Sequence, residues 1–478
     1  MDPIRTDIPA RLDRLPWSRF HWLVVFALGA SWAIDGLEVT LTGAVGGILQ
    51  HPETLHLDSE QIGGLGSFYL LGAVVGALIC GHLTDRHGRA KLFFVTLAIY
   101  LVGTLCTAFA WDFASMAACR IITGFGIGGE YAAINSAIDE LIPARVRGQV
   151  NLAINGSYWI GAALGSLATL VLLDPAIFPV DLGWRVGFFA GALLGFLVLL
   201  ARRHVPESPR WLTIHGQHEK ALRIVSDIET RVAQRNRAEL AAVPDGEALV
   251  IHPRAHVGFG VIVRTLFRDY PRRALLGLVL IASQAYLYNA IFFTYALVLT
   301  RFYDVPAADT GLYLLPFALG NFAGPLVLGR WFDRLGRRAM IAGTYVVSAL
   351  LLWATGALFA RGSLSAHDQT LLWCAIFFFA SAAASSAYLT ISEIFPLELR
   401  ALAIALFYAV GTAIGGLAAP WLFGVLIGSG SRVSVFYGYA LGAALMMLAA
   451  VVEAWLGVDA ERKSLEHIAA PLSTRVEL

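Results

Sequence analysis

Charge is scarce in this chain. Of its 478 residues only 14% are Asp, Glu, Lys or Arg, against 57% hydrophobic, and mean hydropathy is +0.67. So few charges cannot cover the surface of a soluble fold of this size. What charge there is balances to a net +1, which removes the basic excess expected of a nucleic-acid partner. Cysteine is nearly absent: Cys80, Cys106, Cys119 and Cys374 all lie in apolar runs without metal-ligand spacing, and read as small packing residues. No H-E-x-x-H and no paired C-x-x-C occurs, so no metal is expected. No G-x-x-x-x-G-K-[ST] loop occurs either, which excludes an ATP-driven pump; no cofactor is expected beyond a proton gradient. Gly124-Phe-Gly126-Ile-Gly128-Gly129 fits G-x-G-x-x-G but sits inside an apolar run with no strand before it, so it reads as small residues that let two helices approach. The sequon Asn155-Gly-Ser157 lies at mid-membrane depth, where it would not be glycosylated. After Arg5, Arg11, Arg14 and Arg19 a long apolar run begins with no small-residue cleavage site, so the first span is read as uncleaved.

What the chain has in abundance is apolar length. Runs of about 20 residues, each enough to cross a bilayer, fall near 20–49, 60–80, 91–111, 114–139, 148–172, 184–202, 272–300, 308–330, 338–360, 369–394, 400–426 and 434–457. The turns near 86–91, 145–147, 334–338 and 400 are rich in arginine. Those near 50–59 and 111–113 carry no Lys or Arg, and Arg185, Arg301, Arg361 and Arg432 stand singly at the others. That asymmetry places both termini and the long segment 203–271 in the cytoplasm of a multi-pass protein of the plasma (inner) membrane. The polar segment begins Pro206-Glu207-Ser208-Pro209-Arg210-Trp211-Leu212, reads as short amphipathic helices through 216–240, and is broken by Pro244-Asp245-Gly246.

The two halves repeat. Gly81-His-Leu-Thr-Asp85-Arg86-His-Gly88-Arg89 returns as Gly329-Arg-Trp-Phe-Asp333-Arg334-Leu-Gly336-Arg337, each between two apolar runs. Glu140, Pro143 and Arg147 return as Glu393, Pro396 and Arg400 with identical spacing. The doubled G-x-x-x-D-R-x-G-R pattern resembles the loop 2–3 and loop 8–9 signature of the major facilitator superfamily. Pro206–Leu212 and the tail Glu461-Arg-Lys-Ser-Leu-Glu466 are similar to its sugar-porter and metabolite:proton-symporter branches. The resemblance implies an all-α membrane protein of twelve transmembrane helices in two six-helix bundles: residues 1–202, a cytoplasmic linker 203–271, residues 272–457 and a tail 458–478. It also implies a midplane site between the halves. Asp85, Arg86, Arg89, Asp333, Arg334 and Arg337 would latch the cytoplasmic side against Glu140, Arg147, Glu393 and Arg400.

An ionised group inside a span costs about 2.5–3.5 kcal/mol on insertion scales and needs a partner or a cavity. Asp35 and Glu38 lie three apart on one face of the first span, and Arg120 lies in the outer part of the fourth. One cation facing two acids keeps all of them charged, either as a static ion pair or as a proton switch. In the related symporters a first-span acid pairs with a fourth-span arginine and carries the proton, which makes Glu38 the expected carrier. Asp35-Gly-x-Glu38 and Gly-Gly-Glu130 resemble the metabolite symporters, among them those for aromatic acids. Glu130 reads equally as a second titratable site or as a partner of the cytoplasmic cluster.

Asn155, Gln284, Asn289 and Asn321 are amides within four spans; each alone is an ordinary helix-to-helix bond. Gln284 and Asn289 match the seventh-span sugar-porter pattern at its second glutamine and its asparagine. Asn321 and Asn155 fall where that family has an eighth-span asparagine and a fifth-span glutamine. The resemblance makes all four substrate ligands. It breaks at Ser385-Ser386-Ala387-Tyr388, where sugar porters have G-P-x-x-W, and at the missing seventh-span S-G. Tyr158, Trp159, Tyr286, Tyr288, Tyr388 and Tyr408 either line the cavity or pack between helices, and packing is the expectation for most. Trp159 and Tyr388 join the candidate substrate site.

These readings lead to a proton-coupled symporter, not an enzyme, working by alternating access as a monomer on a small polar metabolite, first a sugar or polyol. A small aromatic or aliphatic carboxylate is the rival substrate. An uncoupled facilitator or a nutrient receptor is the rival function.

Overall fold

The structure, a computed structural model, describes residues 4–202, 206–236, 240, 249–251, 259–332, 335–395 and 400–458. Short elements open it: strand β1 (Ile4–Thr6) and helix α1 (Ile8–Asp13). Six long helices follow: α2 (Arg19–Ala44), α3 (Ser59–His87), α4 (Arg89–Thr107), α5 (Phe113–Leu141), α6 (Ala144–Leu172) and α7 (Val180–Arg202). The middle segment carries α8 (Pro209–Ile214), α9 (His218–Asn236), β2 (Leu249–Ile251) and α10 (Phe259–Asp269). Then come α11 (Pro271–Tyr303), α12 (Thr310–Phe332), α13 (Arg337–Ala360), α14 (Ala366–Ile394), α15 (Arg400–Gly411), α16 (Ala419–Gly428) and α17 (Arg432–Leu456).

Ten spans among the described residues meet a strict length and hydropathy criterion, one of them built from α15 and α16 together. The charge-bearing α5 and α6, 29 residues each, match α3 in length and exceed α2, α4 and α7. Large apolar side chains such as Phe26, Val102, Leu193, Leu326, Trp353 and Trp455 point outward and exposed, as a lipid-facing surface requires. Two of the expected spans end differently. The first helix stops at Ala44, where Gly46-Gly47 introduces turns before a short 3₁₀ turn at Ile48–Gln50. The eleventh is not one helix: a π segment at Thr412–Gly416 and Pro420 in the first turn of α16 divide it.

The turns show why the chain reverses where it does. At one end of the bundle Asp58, Asp112, Ser365 and Ser431 cap the helices that follow. At the other, basic end two of the reversals fall on glycine: Gly88 (φ 98°, ψ 153°) and Gly336 (φ 95°, ψ 144°) hold nearly the same left-handed backbone. The doubled motif is therefore a doubled geometry. Within the first half α3 and α5 run backbone to backbone: a Cβ at Gly72, Gly76, Gly124 or Gly128 would collide with a carbonyl oxygen of the facing helix.

Beyond the bundle's basic end α1, α8 and α9 form a small apolar cluster of Ile8, Leu12, Leu15, Trp211, Leu212, Val225, Ile228 and Val232. Glu229 of α9 joins Arg11 (2.6 Å) and Arg14 (2.7 Å). β1 and β2 pair antiparallel with Ile4 opposite Ile251, a two-strand ladder the sequence did not announce. Pro244–Gly246 and the tail 461–466 lie outside the described residues.

Candidate substrate and proton site

Among the described residues Arg120 is the arginine that the fold buries completely (0% exposed). α5 carries it against α2, α4 and α7. Its Nη1 donates to the Glu38 carboxylate and to Thr42 Oγ1 (3.0 Å); its Nη2 donates to Thr107 Oγ1 (2.6 Å) and, at the limit, to Thr123 Oγ1 (3.5 Å). The Phe188 ring of α7 lies 5.0 Å from the guanidinium carbon. Glu38 is 1% exposed, and its Oε2 accepts no hydrogen bond from the described residues. Asp35, one turn earlier, and Glu130, deeper on α5, are also buried. The structure thus brings Glu38 and Arg120 into direct contact. Thr42, Thr107, Thr123 and Phe188 were not singled out beforehand. Threonines at 104 and 107, four and seven past Tyr100, were the available signal on α4.

At mid-depth the halves meet through rings. Tyr131 of α5 stacks on Tyr408 of α15 (centroids 4.5 Å apart, planes within 10°) and lies 5.4 Å from Tyr388 of α14. Trp32 sits edge-on to Tyr131 at 5.2 Å and to Tyr158 at 6.4 Å. Trp159 faces Tyr288 (6.0 Å) and Phe292 (5.6 Å) of the other half. Of the tyrosines considered, Tyr286 packs inside the second half, donating to the Gly438 carbonyl at 3.1 Å. Tyr131, the centre of the stack, and Trp32 beside it were also missed by the sequence reading.

The amides are partly committed. Asn321, between Pro316 and Pro325, accepts from Tyr288 Oη (2.8 Å) and donates to the Phe317 carbonyl (3.0 Å). Asn289 donates to Ala285 of its own helix (2.8 Å), next to Gly416 in the π segment. Gln284 donates to Tyr388 Oη at 3.1 Å. Asn155 is half-buried on α6.

Of the expected basic-end latch, Arg86 is exposed and Arg89 and Arg337 are half-buried. Asp333 and Arg334, and the side chains of Asp85, Glu140, Arg147, Glu393 and Arg400, lie outside the described residues. A different acid holds this end. The Glu207 carboxylate accepts from the backbone N–H of Arg89 (2.9 Å), Ala90 (3.2 Å) and Ser208 (3.0 Å), capping α4 where its dipole is positive.

A family model for sugar (and other) transporters matches residues 40–470. The chain belongs to that family of the major facilitator superfamily. It is a multi-pass membrane transporter of small metabolites, and not an enzyme. The niacin transporter NiaP of Acinetobacter baylyi is 27% identical over 467 residues, covering 97% of this chain and 99% of that one. The 4-hydroxybenzoate transporter PcaK of the same organism is 24% identical over 431 residues, 88% of each chain. The solved structure of the proton:xylose symporter XylE superposes with a TM-score of 0.73 at 17% identity, covering 94% of this chain and 98% of that one, which establishes the fold.

Proposed function

We propose that the protein is a proton-coupled symporter of a small aromatic carboxylate, working by alternating access as a monomer, with its basic end and both termini in the cytoplasm of an inner membrane. The observation that carries this reading is the ring stack across the two halves, Tyr131 on Tyr408 beside Tyr388. A flat substrate ring can insert among these faces when the halves part, each ring pair being worth about 0.5–1.5 kcal/mol beyond burial. Most of the amide donors a polyol needs are already used within the protein. The names of two full-length relatives, for niacin and 4-hydroxybenzoate, support the same substrate class.

Charge completes the argument. Arg120 is held by Glu38, so the substrate anion travels with a proton and the pair crosses without net charge. Protonating Glu38 removes the charge that holds Arg120 and lets α2 and α5 move apart. A sugar or polyol is the second reading: the family's description favours it, as do the amide oxygens of Gln284 and Asn289, which accept no hydrogen bond from the described residues.

The test is uptake into proteoliposomes under an imposed inward proton gradient, with labelled nicotinate and 4-hydroxybenzoate competed by unlabelled aromatic acids and by xylose. Aromatic acids should compete and xylose should not; the reverse moves the assignment to the second reading. Glu38→Gln should abolish uphill accumulation while sparing exchange. Uphill accumulation retained in that variant would make the protein an uncoupled facilitator or receptor.

A further inference from the structure

α4 presents a row of buried polar side chains to α5, and the ion pair alone does not explain it. Thr96, Tyr100, Thr104 and Thr107 follow at intervals of four, four and three, the spacing of one helix face, and all are buried. They run antiparallel along α5. Thr107 takes its hydrogen bond from Arg120. Gly103, beside Thr104, abuts Thr123, and Tyr100 abuts Gly126. Thr96 abuts Gly129, next to Glu130. The row therefore spans the ten residues of α5 that separate Arg120 from Glu130, about 15 Å at ~1.5 Å per residue.

Its two ends are satisfied and its middle is not. Thr107 donates to the Gly103 carbonyl (2.8 Å) and Thr96 to that of Leu92 (2.9 Å). The hydroxyls of Tyr100 and Thr104 have no hydrogen-bond partner among the described residues, and neither do Glu38 Oε2 and Arg120 Nε. Buried polar atoms without a partner on three helices, Tyr100 and Thr104 of α4, Glu38 of α2 and Arg120 of α5, mark a place for water, since buried polar groups are otherwise satisfied by protein. The charged groups around Tyr100 are Asp35 and Glu38 from α2 and Arg120 and Glu130 from α5; α7 contributes the Phe188 lid over Arg120.

We propose that Tyr100 and Thr104, with intervening water, form a relay that passes the coupling proton from Glu38 to Glu130. The neutral Glu38 carboxyl gives its proton to water and becomes carboxylate. Each hydroxyl or water along the row accepts one proton and releases its own, and the Glu130 carboxylate takes the last and becomes neutral. One proton moves, no electrons move, and Arg120 regains its anionic partner as Glu38 ionises. The relay rests on the proton-coupled reading above. It assigns Tyr100 and Thr104 as positioning residues for the proton, away from the substrate rings.

The experiment compares Tyr100→Phe, Thr104→Val and Glu38→Gln with the unaltered protein in proteoliposomes, using labelled nicotinate or, if competition favours it, xylose. Each is assayed for proton-driven accumulation and for substrate exchange without a gradient. Tyr100→Phe, alone and with Thr104→Val, should slow accumulation at least about tenfold while exchange stays within about twofold, a hydroxyl's worth of proton transfer. Accumulation at the normal rate in the double variant while Glu38→Gln fails overturns the relay and leaves the coupling reading standing. Accumulation retained by Glu38→Gln overturns the coupling reading itself. Equal losses of accumulation and exchange in both Tyr100→Phe and the isosteric Thr104→Val show a structural role and overturn the relay.

Discussion

At the scale of the residue, the arrangement around Arg120 is a fork problem. A planar guanidinium reaches Glu38 and Thr42 through one nitrogen and Thr107 through the other, and lays its face on Phe188. Lysine keeps the charge but is a point donor on a flexible stem. Arg120→Lys is therefore expected to retain Glu38 and to lose the tie from α2 to α4. Its midpoint of thermal unfolding in detergent should fall, and proton-driven uptake should drop by about tenfold for each ~1.4 kcal/mol lost at the transition between states. Removing the cation altogether strands a buried carboxylate, a loss of about 3–5 kcal/mol, so Arg120→Ala should express poorly while Glu38→Gln with Arg120→Ala expresses better than Arg120→Ala alone. An unchanged melting midpoint in Arg120→Lys would refute the fork's role. The acid and the cation stood out in the sequence because a bilayer makes lone charges expensive. The threonines did not, because a hydroxyl in a span is cheap and bonds its own helix by default. Only the packing of α4 on α5 turns Thr107 toward the guanidinium.

At the scale of the element, the basic end is held by a backbone requirement as much as by charge. Gly88 sits at φ 98°, and a Cβ there would also collide with the Glu207 carboxylate that caps α4. Gly88→Ala should cost about 1–3 kcal/mol, more than Gly343→Ala, whose Cβ would meet nothing within 4 Å; melting curves of the two variants decide it. The cluster of α1, α8 and α9 has a pH signature. Burial pushes the Glu229 carboxyl up, but hydrogen bonds from Arg11 and Arg14 outweigh burial and hold it below its ordinary value of 4.5. A depressed carboxylate stabilises the fold above its unfolded pKa and loses that contribution as pH falls through the folded one. The clamp should accordingly be intact at neutral pH and weaken only below about 4.5. Proteolysis near Arg14 should accelerate in that acid range and, in Glu229→Gln, already at pH 7. The turns and their glycines were legible because a left-handed reversal has few possible residues. The pairing of β1 with β2 was not: three-residue strands more than 240 positions apart leave no periodicity to read. The eleventh span misled because its glycines and Pro420 fit both a continuous packed helix and the broken one the fold contains.

At the scale of the whole molecule, duplication made the twelve-helix plan readable, while the contact between halves depends on surfaces the sequence does not order. Away from the basic end that contact is backbone-tight. A Cβ on Gly43 would strike the Phe292 carbonyl, one on Gly63 that of Pro420, one on Gly424 that of Ser59, and one on Gly311 that of Ser166. Trp421 adds hydrogen bonds from its backbone N–H to Ser67 (3.2 Å) and from its indole to Glu60 (3.1 Å). Toward the basic end the meeting is looser: a Cβ on Gly81 would stand 3.3 Å from Ala405, and one on Gly156 3.5 Å from Phe322. A methyl placed at Gly43 has no flexible neighbour to displace, so it disfavours the closed seam by about 1–3 kcal/mol and shifts the population toward opening at that end by roughly 5- to 150-fold. With the exposed Cys106 replaced by serine, a cysteine introduced at Ser67 should react with an impermeant thiol reagent faster by that factor in Gly43→Ala than in the parent, and Gly343→Ala should leave the rate unchanged. Equal labelling rates in Gly43→Ala and the parent would mean that the seam opens elsewhere, and that the fit of Gly43 against Phe292 sets packing without setting the balance between states.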